Sequence, residues 1–273
     1  GILPDQTVVM EMAEASGITL VEEPLNPWKA TSTGVGEMIL DAVQKGCRKF
    51  IIGIGGSATT EGGIGMLSAL GYDFMDENGD ILPPVFASLE KVVQIENNRV
   101  PEVLKDCHFQ IACDVTNPLC GVEGCVYVFG AQKGVKEEEK ESMDRAMQSY
   151  AACLEKFTGK KLSDISGTGA AGGLGFAFLW GLPKVELKPG IDIVLEAVGL
   201  TNELKDADVV VTGEGCLDFQ TAMGKVPVGV AKAAKQYGCE VIAFAGSVTE
   251  EAKNCNEKGI DAFFSILPGV CSL

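Results

Sequence analysis

The strongest fold signal in the chain is Asp208-Val-Val-Val-Thr-Gly-Glu-Gly-Cys-Leu-Asp-Phe-Gln-Thr-Ala-Met-Gly-Lys225, in which a β-branched run leads into a glycine-punctuated loop. We interpret residues 209–211 as a buried parallel strand, and in open α/β sheets ligands bind beyond the carboxyl ends of such strands. A helix predicted over residues 226–236 directs its amide-rich N-terminus to the same place. The loop supplies acceptors, donors and one positive charge: Glu214, Asp218, Gln220, Thr221 and Lys225. The stretch therefore predicts an α/β fold with a ligand site at this strand end.

Strands and helices alternate at both ends of the chain. In the last third, the pattern predicts strands over 209–211, 241–244 and 262–264 and helices over 226–236 and 249–257. In the first third, it predicts strands over 7–10 and 50–54 and a helix from a Ser32 or Thr33 cap to Lys45. Repeated βα units imply a parallel sheet with right-handed crossovers.

The middle of the chain has a different pattern. It predicts a hairpin around Asp76-Glu-Asn-Gly-Asp80, further strands over 92–95, 109–115 and 125–129, and a charged helix over 136–157. We therefore predict an α/β protein of two α/β domains, in which a Rossmann-like parallel-sheet domain is interrupted by a mixed α/β insert domain. The Rossmann-like domain comprises residues 1–60 and 205–273, and the insert comprises residues 61–204.

The composition is that of an acidic globular protein. A formal net charge of −16 over 273 residues argues against non-specific nucleic-acid binding, which needs a basic surface. The sequence contains no basic amphipathic stretch and no apolar run of the roughly 18 residues typical of a membrane span. The ten cysteines fall mostly in apolar segments, which predicts reduced thiols. We expect a cytoplasmic protein without nucleic-acid or membrane partners, and we leave open that it forms a homodimer.

A second glycine loop follows the predicted strand 50–54, as Gly53-Ile-Gly-Gly-Ser-Ala-Thr-Thr-Glu-Gly-Gly-Ile-Gly65. We favour an anion cradle built from backbone amides at Gly55 and Gly56 with the hydroxyls of Ser57 and Thr59. Two alternatives stay open. The motif Gly53-x-Gly55-x-x-Ala58 also matches a relaxed dinucleotide fingerprint, with Asp73 near the spacing of a ribose-binding acid. Otherwise, the loop is a strand-to-helix turn that binds no ligand.

A third predicted strand end carries Asp114, within Ala112-Cys-Asp-Val-Thr-Asn-Pro-Leu-Cys-Gly121. A carboxylate there is suited to accept a proton from a hydroxyl or to hold a cation, and an Asx-turn cap is the alternative. Asn117, in the same stretch, is suited to orient a substrate. Downstream, Phe129-Gly-Ala-Gln-Lys-Gly134 places Lys133 in another glycine loop, as either a phosphate contact or a solvated lysine.

Taken together, these segments closely resemble the type I glycerate kinase family. The matching stretches follow the family's order through nearly the whole chain and are Ile51-Ile-Gly-Ile-Gly-Gly-Ser-Ala-Thr59, Ala112-Cys-Asp-Val-Thr-Asn-Pro-Leu-Cys-Gly121, Phe129-Gly-Ala-Gln-Lys-Gly134, Gly169-Ala-Ala-Gly-Gly-Leu-Gly175, Pro189-Gly-Ile-Asp-Ile-Val194 and Thr212-Gly-Glu-Gly215 with Asp218, Gln220-Thr221 and Gly224-Lys225. The resemblance implies transfer of the γ-phosphoryl group of ATP to a hydroxyl of D-glycerate with a divalent cation, Mg²⁺, most often giving 2-phosphoglycerate. It also implies two α/β domains with the active site in the cleft between them.

Phosphoryl transfer needs positioning and charge neutralisation, and the chain has a candidate for each role. We predict Asp114 as the base, with Mg²⁺ binding as its alternative role, and Glu214 and Asp218 as cation ligands. Whether Asp114 or Asp218 is the base stays open. Lys225 and Lys133 are the predicted phosphate contacts. The remaining predicted binding residues supply amides, hydroxyls or substrate-orienting groups and are Gly55, Gly56, Ser57, Thr59, Asn117, Gln220 and Thr221.

The chain departs from the family's pattern in four places. The family's opening motifs and its closing helix have no counterpart in these 273 residues, so we expect the sequence to be a piece of a longer protein. The first loop continues Thr60-Glu61 where the family usually has Asn-Asp, and Cys216 stands where an arginine is usual. That arginine would be a donor fork suited to carboxylate or phosphate. Besides the kinase, an NAD-dependent oxidoreductase and an inactive fragment or binding module stay as alternatives.

Overall fold

The computed structural model describes residues 1–267 and divides the chain into two units, Gly1–Lys188 and Pro189–Leu273. Each unit has its own parallel sheet and its own apolar core. The α/β class predicted from the sequence is therefore confirmed.

A four-stranded parallel sheet organises the first unit. The strands of this unit are β1 (Thr7–Glu11), β2 (Lys49–Gly53), β3 (Asp73–Met75), β4 (Gln94–Glu96), β5 (His108–Ala112) and β6 (Val185–Lys188). The sheet order is β1-β2-β5-β6, while β3 and β4 form a separate antiparallel pair. Phe50 and Phe109 are register partners on β2 and β5, and their rings stack with centroids 4.8 Å apart. Because β2 and β5 are parallel neighbours, the loops that follow them emerge side by side.

Helices cover this sheet and supply most of the first core. They are α1 (Ala13–Ser16), α2 (Thr33–Gln44), α3 (Ile64–Ala69), α4 (Cys125–Phe129), α5 (Lys140–Thr158) and α6 (Ala170–Gly181). Helix α5 buries Met143, Met147, Tyr150 and Leu154 at helical spacing and ends at Gly159 in the left-handed conformation. Such a stripe is typical of an amphipathic helix on a core. By contrast, α6 is apolar on all sides and lies buried, which positions its N-terminal segment rigidly.

The second unit is a smaller parallel βα arrangement. Its elements are α7 (Gly190–Ala197), α8 (Leu200–Glu203), β7 (Val209–Leu217), α9 (Phe219–Ala222), α10 (Val226–Lys235), β8 (Glu240–Val248) and β9 (Ala262–Ser265). The strand order is β7-β8-β9, and a 3-10 helix over Glu250–Lys258 lies between β8 and β9 in the chain. Val228, Ala231 and Ala234 of α10 are buried in the same core as Val241 and Ala243 of β8. The predicted strands and helices of this region are thus confirmed in type, and the 249–257 helix is of the 3-10 kind.

The division into domains differs from the prediction. Residues 1–60 and 205–273 were expected to share one sheet around an insert over 61–204, but β1 and β2 pair with β5 and β6 from that predicted insert. The strands of the last third pair only with one another. The boundary therefore falls once, after Lys188. Local alternation specifies that a segment is a parallel strand but not which strand it pairs with, and this is the physical reason for the error.

Three local predictions also need correction. Residues 125–129 form helix α4 and not a strand, because a short apolar run has no periodicity that separates the two. The strand at residues 73–75 pairs with β4, and the predicted hairpin is reduced to an isolated antiparallel bridge from Met75 to Ile81. In the predicted buried run 209–211, Val209 and Val211 are 47% and 62% exposed, so only alternate residues point into the core.

Among the helices of residues 1–267, none combines the length and apolarity needed to cross a membrane. The nine cysteines in this part of the chain are free thiols.

Candidate functional site

A cavity of about 430 Å³ lies where β2 and β5 end in the first unit. Three sequence segments predicted to carry function meet there, since its lining includes Gly55, Gly56, Ser57, Asp114 and Lys133. Its other lining residues are Ile18, Ile54, Ala112, Cys113, Val115, Phe129, Gln132, Ala170 and Ala171. Ligands bind at this edge of parallel sheets because loops from neighbouring strands converge there. The cavity is therefore the candidate substrate site of the first unit.

The loop after β2 is held in shape by the last residue of α1 and the segment that follows it. The amide of Ile18 donates to the carbonyl of Gly56 at 2.8 Å, and the amide of Ala58 donates to the carbonyl of Ser16 at 2.9 Å. Gly56 has a φ of 67°, a conformation that glycine adopts without a steric penalty. These bonds fix the backbone of Gly55, Gly56 and Ser57 along the cavity wall, as an amide cradle requires.

Lys133 is an unusual member of the cavity wall because it is only 3% exposed. Its Nζ donates a hydrogen bond of 2.7 Å to the carbonyl oxygen of Thr59. Burial lowers the pKa of Lys133 to about 8, while Cys125 and Glu61 act in the opposite direction. The alternative of a solvated lysine is therefore wrong. The predicted role as a phosphate contact stays a prediction.

Thr59 and Asn117 do not line the cavity. Thr59 is 1% exposed, and its Oγ1 has no hydrogen-bond partner within residues 1–267. Asn117 supports backbone, because its Nδ2 donates to the carbonyl of Glu123 at 2.8 Å and its own carbonyl accepts from the amide of Gly169 at 3.0 Å. Both residues contact the loops that form the site, so the structure gives them supporting positions.

The segment at the start of α6 closes one side of the cavity in a strained conformation. Three consecutive residues, Ala171, Gly172 and Gly173, have φ between 52° and 94°. A left-handed alanine costs roughly 1–2 kcal/mol and persists only where its surroundings impose it. The amide of Gly62 donates to the carbonyl of Gly172 at 2.9 Å, which joins this segment to the loop after β2.

Gly172 is the position at which this junction is most easily broken. A Cβ built there would lie 2.1 Å from the carbonyl oxygen of Thr59, a backbone atom, whereas one at Gly79 would meet nothing within 4 Å. Both glycines have positive φ, at 67° and 81°. We expect Gly79→Ala to cost about 1 kcal/mol in the free energy of unfolding and Gly172→Ala about 3 kcal/mol more. Urea unfolding of the two variants measures the difference, and equal losses would contradict the tight packing described here.

The second unit gathers the other predicted residues around the short helix α9. Asp218 is its N-cap, and Asp218 Oδ1 accepts from the amides of Gln220 at 2.8 Å and Thr221 at 3.1 Å. The buried Thr221 hydroxyl donates to Glu214 Oε1. Glu214 belongs to β7, which runs further than predicted, and it is the register partner of Ala245. Glu214 and Asp218 are thus linked through one hydroxyl.

The two lysines predicted as phosphate contacts differ in exposure. Lys225 lies at the N-cap of α10 with its side chain 44% exposed and its Nζ 4.0 Å from Asp218 Oδ1. Gln220 is exposed nearby in the chain. An exposed ammonium and an exposed amide beside a helix N-terminus suit an anionic ligand.

A magnesium ion is compatible with this donor set when substrate oxygens complete it. No group of three or more potential ligand side chains within residues 1–267 could hold a metal ion. Mg²⁺ is commonly bound through one or two carboxylates together with phosphate oxygens and water. The two amides of α9 and the Lys225 ammonium all approach Oδ1 of Asp218, so Oδ2 is the oxygen suited to a cation. Glu214 and Asp218 fit that chemistry as a pair.

The contacts of Asp73 do not favour the dinucleotide alternative. Asp73 lies on β3, outside the parallel sheet, and Arg99 Nε donates to its Oδ2 at 2.9 Å. The hydrogen bond from Arg99 lowers the pKa of Asp73, and it keeps this carboxylate engaged. The helix after the glycine loop begins only at Ile64, whereas a dinucleotide site needs a helix N-terminus directly after the loop.

Two residues of the region were missed as site residues. Gln132 lines the cavity beside Lys133, and its position in a glycine loop was the available signal. Glu61 is fully buried and accepts hydrogen bonds from the Ser32 amide at 2.9 Å, the Ser32 hydroxyl at 2.5 Å, and the amides of Gly63 and Gly65 at 3.2 Å. Because Ser32 precedes α2 and Gly63 precedes α3, Glu61 joins the N-termini of two helices. A glutamate in a glycine-rich loop gave no sign of this in the sequence.

The chain is similar to known glycerate kinases over its whole length. The model of the glycerate kinase family matches residues 1–273. Glycerate kinase of Bacillus subtilis (strain 168) is 44% identical over 275 residues, which cover 100% of this chain and 72% of that protein. Glycerate 2-kinase of Escherichia coli (strain K12) is 44% identical over 269 residues, which cover 98% of this chain and 70% of that protein.

A solved structure agrees with these sequence matches. It is a crystal structure from Salmonella typhimurium LT2 with a provisional assignment as glycerate kinase 2, and it matches this chain with a TM-score of 0.89 and 42% sequence identity. The match covers 100% of this chain and 71% of that chain. The chain therefore belongs to the glycerate kinase family.

Proposed function

We propose that this chain transfers the γ-phosphoryl group of ATP to the C2 hydroxyl of D-glycerate and forms 2-phosphoglycerate, with Mg²⁺ as the cation. The observation that carries the proposal is the cavity after β2 and β5, which combines an amide loop, a carboxylate and a buried lysine. The similarity to glycerate 2-kinase of Escherichia coli supports the choice of the C2 hydroxyl.

On the acceptor side, Asp114 is the residue proposed to take the hydroxyl proton. It follows β5 by two residues and lines the cavity together with Gly55, Gly56 and Ser57. A base aligned with the reacting hydroxyl assists proton loss in the transition state, and a rigid loop reduces the entropy lost in orienting the substrate. The hydroxyl of Ser57 and the amides of Gly55 and Gly56 are proposed as further hydrogen-bond donors to the bound D-glycerate anion.

On the donor side, Glu214 and Asp218 are the residues proposed to hold Mg²⁺, and Lys225 is proposed to contact the phosphate chain. When bound, Mg²⁺ would neutralise charge on the phosphate oxygens. Thr221 holds the Glu214 carboxylate, and the amides of Gln220 and Thr221 hold that of Asp218. These bonds orient both carboxylates before the cation arrives, which improves binding.

The Asp218→Asn variant tests this cation role cleanly, because asparagine caps helices about as well as aspartate and so keeps α9 intact. We expect the Mg²⁺ concentration for half-maximal rate to rise about tenfold or more, since one anionic ligand is lost. Titration of the rate with Mg²⁺ measures this. Asp208→Asn, an exposed position before β7, is the control and should leave the titration unchanged. An unchanged titration in Asp218→Asn would remove Asp218 from the cation site.

The position of phosphorylation can be read directly from the product. Enolase consumes 2-phosphoglycerate but not 3-phosphoglycerate, so coupling to enolase without a mutase reports transfer to C2. We expect phosphoenolpyruvate to form in step with ADP. ADP formation with phosphoenolpyruvate only after mutase addition would place the phosphoryl group on C3 instead.

We also propose a cytoplasmic location. The nine free thiols within residues 1–267 support it, because reducing compartments keep cysteines in this state.

A further inference from the structure

The first-unit cavity carries one positive and one negative side chain. Lys133 and Asp114 are its charged lining residues, and the others are apolar or neutral polar. A ligand that suits this wall has one anionic group for the ammonium and one proton-donating group for the carboxylate.

The ammonium of Lys133 forms no ion pair with a carboxylate within residues 1–267. Its hydrogen bond goes to the neutral carbonyl of Thr59, and within residues 1–267 no carboxylate lies within 4.0 Å of its Nζ. Glu61, the nearby carboxylate, already accepts four hydrogen bonds from other groups. Burial of an ammonium without an anionic partner carries a desolvation cost, and a bound anion offsets that cost. An anionic ligand in the cavity would complete its coordination.

Glycerate and ATP differ in the number of negative charges that they would bring into the cavity. Glycerate carries a single carboxylate with hydroxyls beside it, whereas the triphosphate of ATP would bring several negative charges next to Asp114. Such charges would need a bridging cation, for which the lining of this cavity offers one carboxylate, Asp114, whereas the second unit offers the pair Glu214 and Asp218. We infer that the first-unit cavity is the glycerate subsite, in which Lys133 binds the carboxylate of glycerate and Asp114 receives its hydroxyl. This inference rests on the proposed function.

Proton uptake on binding is a measurable consequence. Burial lowers the pKa of Lys133 to about 8, and a carboxylate beside it would raise that pKa again. The other titratable groups around Lys133 are the carboxylates of Glu61 and Asp114 and the thiols of Cys125 and Cys113. Burial raises the pKa of both thiols, that of Cys125 to about 12, so neither gains a proton near pH 8. D-Glycerate binding should therefore take up a proton at Lys133 above, but not well below, pH 8.

Calorimetry on this chain without ATP tests the inference. D-Glycerate is titrated at pH 6.5 and pH 8.0 in buffers of different ionisation enthalpy. We expect uptake of about half a proton at pH 8.0 and close to none at pH 6.5. Inorganic phosphate and Mg²⁺-free ATP serve as competing probes. No D-glycerate binding, no proton uptake at pH 8.0, or displacement of D-glycerate by ATP would each overturn the assignment.

Variants identify the group that takes up the proton. Lys133→Gln should weaken D-glycerate binding about 10- to 100-fold, abolish the uptake and leave the affinity for ATP unchanged. Lys136→Gln, an exposed lysine three residues later, is the matched control and should behave like the unaltered chain. Unchanged glycerate affinity in a folded Lys133→Gln variant would overturn the inference.

The outcomes also separate this inference from the proposed function. If the unaltered chain turns over D-glycerate while Lys133→Gln binds it normally, the function stands and the subsite assignment fails. If Lys133→Gln does not fold, as judged by its thermal unfolding, the proton uptake of the unaltered chain decides alone.

Discussion

Asp114→Asn is expected to lower kcat about 10²- to 10⁴-fold, the range for loss of a general base. The side chain keeps its size and stays at the end of β5, so the cavity itself should persist. What changes is the proposed ability of Asp114 to accept the hydroxyl proton of the substrate. Steady-state kinetics with D-glycerate and Mg·ATP measure kcat, and the Mg²⁺ dependence measured in parallel separates the base from a cation ligand.

Asp106→Asn is the matched control for this variant. Asp106 is exposed and precedes β5 by two residues, as Asp114 follows it by two, so it lies at the opposite end of the same strand. We expect its kcat to equal that of the unaltered chain. A kcat of Asp114→Asn equal to that of the Asp106→Asn control would exclude Asp114 as the base. A shifted Mg²⁺ requirement together with a modest rate loss would instead assign it to the cation.

Glu61→Ala is expected to lower the free energy of unfolding by about 3–5 kcal/mol, the range for breaking a buried charged network. The change leaves the Ser32 hydroxyl and three amides at two helix N-termini without their acceptor. Buried donors that lose their partner cost more than the hydrogen bond itself contributed. Denaturant unfolding followed by circular dichroism measures the loss.

Two further substitutions define the cause of that loss. Glu61→Gln keeps an oxygen for the donors on Oε1, so its destabilisation should lie between zero and that of Glu61→Ala. Glu77→Ala, in the exposed turn after β3, should change the free energy of unfolding by about 0.5 kcal/mol or less. Equal stability of Glu61→Ala and Glu77→Ala would show that Glu61 does not hold the two helices.

Much of the fold was predictable where the local sequence pattern alone determines the secondary structure. The helix at residues 226–236 has a proline in its first turn and an apolar stripe, and the structure has it as α10. Strand β2 is a β-branched and aromatic run before a glycine loop, and it too was predicted. The domain boundary was not predictable this way, because strand pairing between β2 and β5 is set by packing such as that of Phe50 on Phe109.

The same distinction applies to the candidate site: features set by the local sequence were predictable, and features set by packing were not. Asp114 and the loop from Gly55 to Ser57 were predictable, since residues that follow parallel strands meet at one sheet edge. The burial of Lys133 was not, because a lysine in a glycine loop has no local feature that distinguishes a buried ammonium from a solvated one. The structure shows that Asp218 is the N-cap of α9. Its predicted role toward a cation stays a prediction.

The most direct test of the proposed activity is ADP release by this chain, with its intact mass verified, in the presence of Mg·ATP and D-glycerate. We expect ADP release that requires D-glycerate and saturates with it. Folded protein of the correct mass that binds D-glycerate in the first-unit cavity yet releases no ADP would contradict the kinase activity of this chain. Folded protein that neither binds D-glycerate nor releases ADP would contradict both the activity and the assignment of the cavity.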